Sequence, residues 1–250
     1  MAITIKSERE IELMAEAGKI LERVHNELEK ALHPGMSTKD IDTLGEKIIR
    51  SYGCIPSFLN YNGYPASICV SVNQEVVHGI PDKHRIIHEG DIVSLDAGVI
   101  YKGYHSDAAR THAVGEVSEE AKKLIQVTKE CFFEGIKYAK AGNHLFDISG
   151  AIGRYAEERG YGVVRDLCGH GIGTALHEDP QIPNYAQKRR GVRLQAGMTL
   201  AIEPMINAGT WQVRFLRDGW TVVTKDGSLS AHYENTILVT DGEPEILTLY

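Results

Sequence analysis

The sequence is poor in cysteine. It has four in 250 residues (Cys54, Cys69, Cys131 and Cys168) and no C-x-x-C pair. That spacing excludes a zinc ribbon and a disulfide framework, and makes a reduced, cytoplasmic setting the expectation. No apolar run approaches the roughly 20 residues that span a bilayer. The start, MAITIKSEREIEL, is charged too early for a signal peptide. There is no block of like charge, and a net charge of −7 denies nucleic acid the basic face it would need. Linkers, composition shifts and low-complexity segments are missing too, so residues 1–250 read as one domain. With these classes set aside, 42% hydrophobic and 24% charged residues describe a globular protein with a sizeable core.

Apolar residues recur at helical spacing from Ser7 to about Leu32 (Ile11, Met14, Leu21, Val24, Leu28), with Ser7 as N-cap. A second helix starts at Ser37 or Thr38 and ends near Gly53; a second pair spans roughly 118–140 and 144–159. Strand-like stretches include SICVSV, GDIVSLDAGVI, HSDAARTHAVG, GVVRDLC, MTLAIEPMI and HYENTILVT, with D-G turns at Asp218-Gly219 and Asp226-Gly227. Six pairs of positions match at one offset of 107 residues: Gly35 with Gly142, Asp40 with Asp147, Ile41 with Ile148, Gly53 with Gly160, Gly90 with Gly197, and Asp96 with Glu203. Matches in one register point to a duplicated helix–helix–strand unit, with halves of about 1–115 and 116–250. The expected fold class is α+β: a curved, mainly antiparallel sheet backed by two helix pairs.

Into one of those strand pairs the chain puts two acids. Asp96 and Asp107 lie in SLDAGVIYKGYHSD, although strands are depleted in aspartate and facing like charges are destabilising. A loop centred between Tyr101 and Lys102 would set the two directly opposite, with Cβ atoms roughly 4.5–5.5 Å apart; a bulge at Gly103 would shift this by one. A shared cation relieves such a pair best. Glu203, before a proline in TLAIEPMI, and Glu234, in AHYENTILV, are similarly placed acids. His170 and His177 lie in the glycine-rich CGHGIGTALHEDP, where glycines permit tight backbone paths.

Taken singly, these residues have ordinary readings: a turn or edge aspartate, a partnered strand glutamate, a loop histidine. His78 in EVVHGIPD reads equally as a strand-end residue, and His25, His33, His84, His88 and His144 as surface residues. Taken together, four carboxylates and a histidine form an oxygen-rich site suited to Mn²⁺, Fe²⁺ or Co²⁺ at least as well as Zn²⁺. Four negative charges are balanced by two divalent ions and not by one. Spacing and composition lead to a hydrolytic metal site and no further.

With these residues collected, the chain resembles the type I methionine aminopeptidases, metallopeptidases of the pita-bread fold, in their short bacterial form. The resemblance runs nearly end to end through SICVSVNQEVVHGIP, GDIVSLDAG, GYHSDAARTHAVG, GHGIGTALHEDPQIP, GMTLAIEPMI and WTVVTKDGSLSAHYENTILVT. It implies removal of the N-terminal methionine from nascent chains, with a small second residue preferred, by attack of a metal-bridging water or hydroxide. Two divalent ions (Co, Mn or Fe, with Zn possible) are then held by Asp96, Asp107, His170, Glu203 and Glu234. Glu203 doubles as proton shuttle, His177 bonds the substrate amide, and His78 lies near the scissile nitrogen. Tyr61, Tyr64, Cys69 and Trp220 match the family's methionine pocket. Phe58 and Leu176 join it, Leu176 standing where an aromatic is expected.

The resemblance also implies a cytoplasmic monomer with transient ribosome contact, no nucleic-acid substrate and no membrane. No zinc-finger extension precedes the motifs, and the 31 residues from Glu203 to Glu234 leave no room for the type II insert. Met1-Ala2 itself suits such an enzyme, so self-processing is expected. Proline-directed peptidases share the ligands but usually carry a further N-terminal domain; metal-free binding relatives lose ligands, whereas all five stand here. Creatinase-like hydrolysis would leave the methionine-pocket motifs without a role.

Overall fold

A computed structural model describes residues 3–249; Met1 and Ala2, the pair expected to be self-processed, and Tyr250 lie outside the described residues. Among the described residues, four α-helices form where apolar periodicity and caps coincide. Helix α1 covers Glu8–Ala31 and α2 Thr38–Ser51, while α3 covers Glu119–Ile136 and α4 Leu145–Glu157. At the start of α2, Asp40 accepts from the Ser37 backbone N–H at 2.9 Å. Asp147 does the same for His144 at the start of α4, at 3.0 Å. The duplicated aspartates thus carry out one capping job twice.

The glycines of the repeat are duplicated for a reason as well. Gly35 and Gly142 have φ of +94° and +93°, Gly53 and Gly160 +72° and +82°, and Gly90 and Gly197 both +90°. Side chains rarely adopt this left-handed region, so each pair marks the same turn in both halves. The fold is the pseudo-twofold α+β pita-bread arrangement.

A nine-stranded antiparallel sheet lies across the centre. Its middle runs from Ile92–Tyr101 through Tyr104–Ala113 and Glu234–Leu238 to Thr199–Ile202 and Gly169–Gly171. Helices α1 and α2 bury Leu21, Val24, Ile41 and Ile49 against Ile68, Val70, Val93 and Leu95. Helices α3 and α4 bury Leu124, Phe132, Ile148 and Ile152 against Leu200, Ile202 and Ile237. Fully burying each such side chain contributes about 1.5–3 kcal/mol, so each half carries its own core. A third cluster joins the halves, bringing Phe58, Tyr64 and Cys69 together with Leu176 and Leu238. Among the described residues, no helix is long and apolar enough to cross a membrane.

Three details depart from the sequence reading. The acidic hairpin turns on Lys102 and Gly103, both at positive φ (+49° and +89°), so Tyr101 faces Tyr104. Positive φ at both loop residues is the signature of a type I′ turn. Asp96 therefore faces Ala109 and Asp107 faces Gly98: the two acids share a face but sit diagonally. MTLAIEPMI splits at Glu203-Pro204 into Thr199–Ile202, in the main sheet, and Met205–Asn207, in a small one. His25 is buried, its Nε2 lying 2.8 Å from the Ala108 carbonyl oxygen.

Candidate metal centre and its cavity

The sheet's register brings the acids together. Asp96, Ala109 and Glu234 stand in one row across three strands, and Asp107 lies two residues from Ala109 on the same face. Alanine in the middle of that row leaves the space between Asp96 and Glu234 unfilled. Glu203 arrives from the next strand. Asn235 pairs with Ile202, and beyond the proline Met205 pairs with His232 in the same register, so Glu203 comes beside Glu234. His170 is supplied by Gly169–Gly171, which pairs with Thr199–Ile202. Its flanking glycines serve close approach rather than a tight turn. A Cβ on Gly169 would meet the Ala201 oxygen at 2.4 Å, and one on Gly171 the Asp179 oxygen at 2.2 Å.

His170 Nε2 lies 3.9 Å from Asp107 Oδ2 and 3.7 Å from Glu203 Oε1. Its Nδ1 is 2.9 Å from the Gly171 carbonyl oxygen, an arrangement in which Nδ1 carries the proton and Nε2 presents a bare lone pair to the acids. Burial raises Asp96 to about 7, with the Glu203 charge adding to the effect, and raises Glu203 to about 8. Burial, then the neighbouring carboxylates, pushes Asp107 and Glu234 well above the usual range. Burial also holds His170 down to about 3.

Buried carboxylates without cations nearby are costly. Asp96 Oδ1, Asp107 Oδ1 and Glu234 Oε1 are all buried without a hydrogen-bond partner. Ligand atoms of Asp107, His170 and Glu234 lie within 4.8 Å of one another, as do those of Asp96, His232 and Glu234. Orphaned oxygens, a lone pair aimed among them and near-coordination spacing fit divalent metal ions.

These groups form one end of a cavity of about 510 Å³. Every residue singled out from the sequence lines it: besides the acids and His170, these are His78, His177, Phe58, Tyr61, Tyr64, Cys69, Leu176 and Trp220. Cys69 pairs across the sheet with Asp96, so the apolar end begins one residue from the acidic end. Burial, then the Asp96 charge, keeps its thiol well above its ordinary pKa, which makes it a neutral wall rather than a thiolate ligand. The Tyr64 hydroxyl donates to the Gly79 carbonyl at 2.9 Å, and Trp220 packs edge-on against the Tyr64 ring, 5.2 Å between centroids. The Tyr61 hydroxyl lies 2.8 Å from His177 Nδ1, and the His177 ring is 4.2 Å from that of His170. Burial lowers His78 to about 4, leaving it a neutral imidazole across from Trp220.

The sequence reading missed His232. It is 1% exposed, with Nε2 3.7 Å from Glu203 Oε2 and 3.8 Å from Glu234 Oε2. Burial first, opposed by Asp96, takes its pKa to about 4. The available signal was its place two residues before Glu234, a spacing that puts alternate strand residues on one face. Cys168 also lines the cavity without having been singled out.

Comparison with known proteins converges on one group. The model of metallopeptidase family M24 matches residues 12–241. The chain is 59% identical to a methionine aminopeptidase of Clostridium acetobutylicum over 99% of both chains. It is 50% identical to methionine aminopeptidase 1 of Bacillus subtilis, covering 98% of this chain and 99% of that one. A crystal structure of methionine aminopeptidase from Thermotoga maritima superposes with a TM-score of 0.97 at 48% identity, covering both chains completely.

Proposed function

This chain belongs to metallopeptidase family M24, and from that premise we propose that it removes the N-terminal methionine from peptides and nascent proteins. The observation that carries the reading is the cavity itself: a recess lined by rings and a thiol opens directly onto the acid cluster. A thioether gains about 0.3–1.5 kcal/mol from each aromatic contact, and Tyr61, Tyr64 and Trp220 offer three rings. The enzyme is a metallo-exopeptidase.

Asp96, Asp107, His170, Glu203 and Glu234 would hold two divalent ions, Co²⁺, Mn²⁺ or Fe²⁺ with Zn²⁺ also suited. When bound, such ions supply Lewis acidity that polarises a carbonyl and lowers the pKa of water. The chain's own groups handle the rest. Glu203, its buried carboxylate facing the acid cluster, takes a proton from the attacking water and delivers it to the departing amine. His177, fixed by Tyr61, reaches the substrate amide and steadies the oxyanion of the tetrahedral species. His78 stands beside the leaving nitrogen. The recess holds the methionine side chain and aligns the scissile carbonyl, and a small second residue is preferred, as the resemblance to the type I enzymes implies. Residues 1–250 act as one catalytic domain with halves of about 1–115 and 116–250. The enzyme works as a cytoplasmic monomer, in transient contact with the ribosome as chains emerge.

The test is hydrolysis of Met-Ala-Ser, Met-Lys-Ser and Ala-Pro-Ala by metal-stripped protein with Mn²⁺, Fe²⁺ or Co²⁺ restored. Methionine release from the first peptide alone is the expected result. Cleavage of the proline peptide alone would move the activity to proline-directed hydrolysis, and no turnover with any metal would point to a binding role.

A further inference from the structure

Glu203 has an imidazole at each carboxylate oxygen. His170 Nε2 stands 3.7 Å from Oε1, and His232 Nε2 stands 3.7 Å from Oε2. The two rings are held differently. His170 has the Gly171 carbonyl at Nδ1, which commits that nitrogen to carrying the proton and leaves Nε2 as a lone pair. His232 has no hydrogen-bond partner at either ring nitrogen among the described residues, although it is 1% exposed. Nothing ties its proton to Nδ1, and the acceptors nearest Nε2 are carboxylate oxygens of Glu203 and Glu234, at 3.7 and 3.8 Å. A buried N–H left unpaired keeps its full desolvation penalty, so Nε2–H closing on one of these oxygens is the favourable arrangement.

We propose that His232 is a positioning residue for Glu203: its Nε2–H donates to Oε2 and holds the carboxylate with Oε1 turned toward His170. Ligating carboxylates need such an outer hydrogen bond to fix their orientation. Catalytic hydrogen bonds are often long before substrate binds and tighten in the working complex, which accounts for the 3.7 Å separation. Glu234 is the weaker competitor for this donor. Its carboxylate belongs to both groups of ligand atoms that lie within 4.8 Å of one another, so it is the acid most committed to metal. Glu203 has no other side-chain donor in the structure described; its backbone carbonyl alone is bonded, by Asn184. The proposal builds on the aminopeptidase reading and adds to it the group that aims the proton shuttle.

His232→Leu and His232→Gln separate the possibilities. With Co²⁺ restored and Met-Ala-Ser as substrate, His232→Leu should lower kcat about 10–100-fold with KM little changed. Cobalt stoichiometry and melting temperature should stay near those of the wild type. His232→Gln keeps an N–H donor of similar reach and should recover most of the loss. A second readout is independent of turnover: in zinc-loaded protein labelled with ¹⁵N-histidine, NMR should find His232 as the Nε2–H tautomer, with its Nε2 free of zinc. A zinc-shifted Nε2 together with loss of one metal equivalent in His232→Leu would make His232 a ligand and overturn the proposal. Equal rates for His232→Gln and His232→Leu, or a wild-type rate for His232→Leu, would overturn it as well. Should the wild type release no methionine at all, the functional reading fails, while the tautomer still decides the role of His232.

Discussion

The two ends of the cavity are built on opposite principles. The acidic end sits on the most regular part of the molecule, where strand register fixes Asp96, Asp107 and Glu234 side by side and leaves three oxygens unpartnered. Apart from Cys69, which stands on a strand beside Asp96, the apolar end is drawn from irregular segments around Phe58–Tyr64, Leu176 and Trp220, yet its groups are satisfied: Tyr64 is bonded to Gly79, and Trp220 packs on Tyr64. Rigid scaffolding is spent where the local energy is unfavourable, because repelling carboxylates would otherwise splay apart. Where packing is favourable, loops suffice. The acidic end thus spends stability on function, and the apolar end gains both at once.

The largest test of that contrast is Asp107→Asn. Loss of a buried carboxylate proposed to hold metal should cost several kcal/mol of transition-state stabilisation, about 10³-fold in kcat/KM for Met-Ala-Ser. The metal-free variant should nonetheless melt higher than the metal-free wild type at pH 8. Asp96 and Glu203 have pKa values raised to about 7 and 8, from 3.8 and 4.5. The folded protein then holds protons that the unfolded chain has already lost, so these groups lower stability as pH rises from their ordinary values up to about 7 and 8, and the fall levels off above. The buried histidines His78, His170 and His232, lowered to about 4, 3 and 4, act the other way only below their ordinary 6.5. Metal-free wild-type protein should therefore lose melting temperature between pH 6.5 and 8.5 by calorimetry, and Asp107→Asn should lose less.

Next in size is His177→Ala, where loss of one donor to the developing oxyanion should lower kcat about 10²-fold while the cobalt isotherm is unchanged. An altered isotherm would place His177 in the metal site instead. Leu176→Ala probes the apolar end. It should weaken methionine binding by about 1–3 kcal/mol, seen mainly in KM, and lower stability in the same step because Leu176 is buried. A change in kcat alone would contradict the division between the two ends. Smallest is Gly103→Ala at the hairpin tip. A Cβ there meets nothing within 4 Å, but φ is +89°, so the cost is the backbone strain of about 1 kcal/mol, a fall of roughly 2–4 °C in melting temperature.

How far the molecule could be read from its sequence follows the same contrast. Helices, caps and the repeat were legible because glycine φ values and aspartate caps are local facts, and the two halves state them twice. The acids were legible because carboxylates in strands demand a reason. The hairpin register was not, since it depends on Lys102 accepting a positive φ, which nothing in lysine announces. The split of MTLAIEPMI depends on which strand each piece meets, a long-range matter. His232 escaped because a histidine in a strand reads as an ordinary residue. Only the unbroken register across Pro204 and Tyr233 turns it toward Glu203. The shape of the apolar end was legible only through resemblance, because all its residues but Cys69 come from segments with no periodicity.

Metal ions, on binding, displace protons that the acidic end stores. This displacement is tested most directly by titrating stripped protein with Co²⁺ at pH 6.5 in a calorimeter, in two buffers of different ionisation heat. Two equivalents should bind per chain with net proton release, since Asp96 and Glu203 hold protons at that pH and must give them up to ligate. Binding without proton release, or no saturable binding at all, would contradict the account.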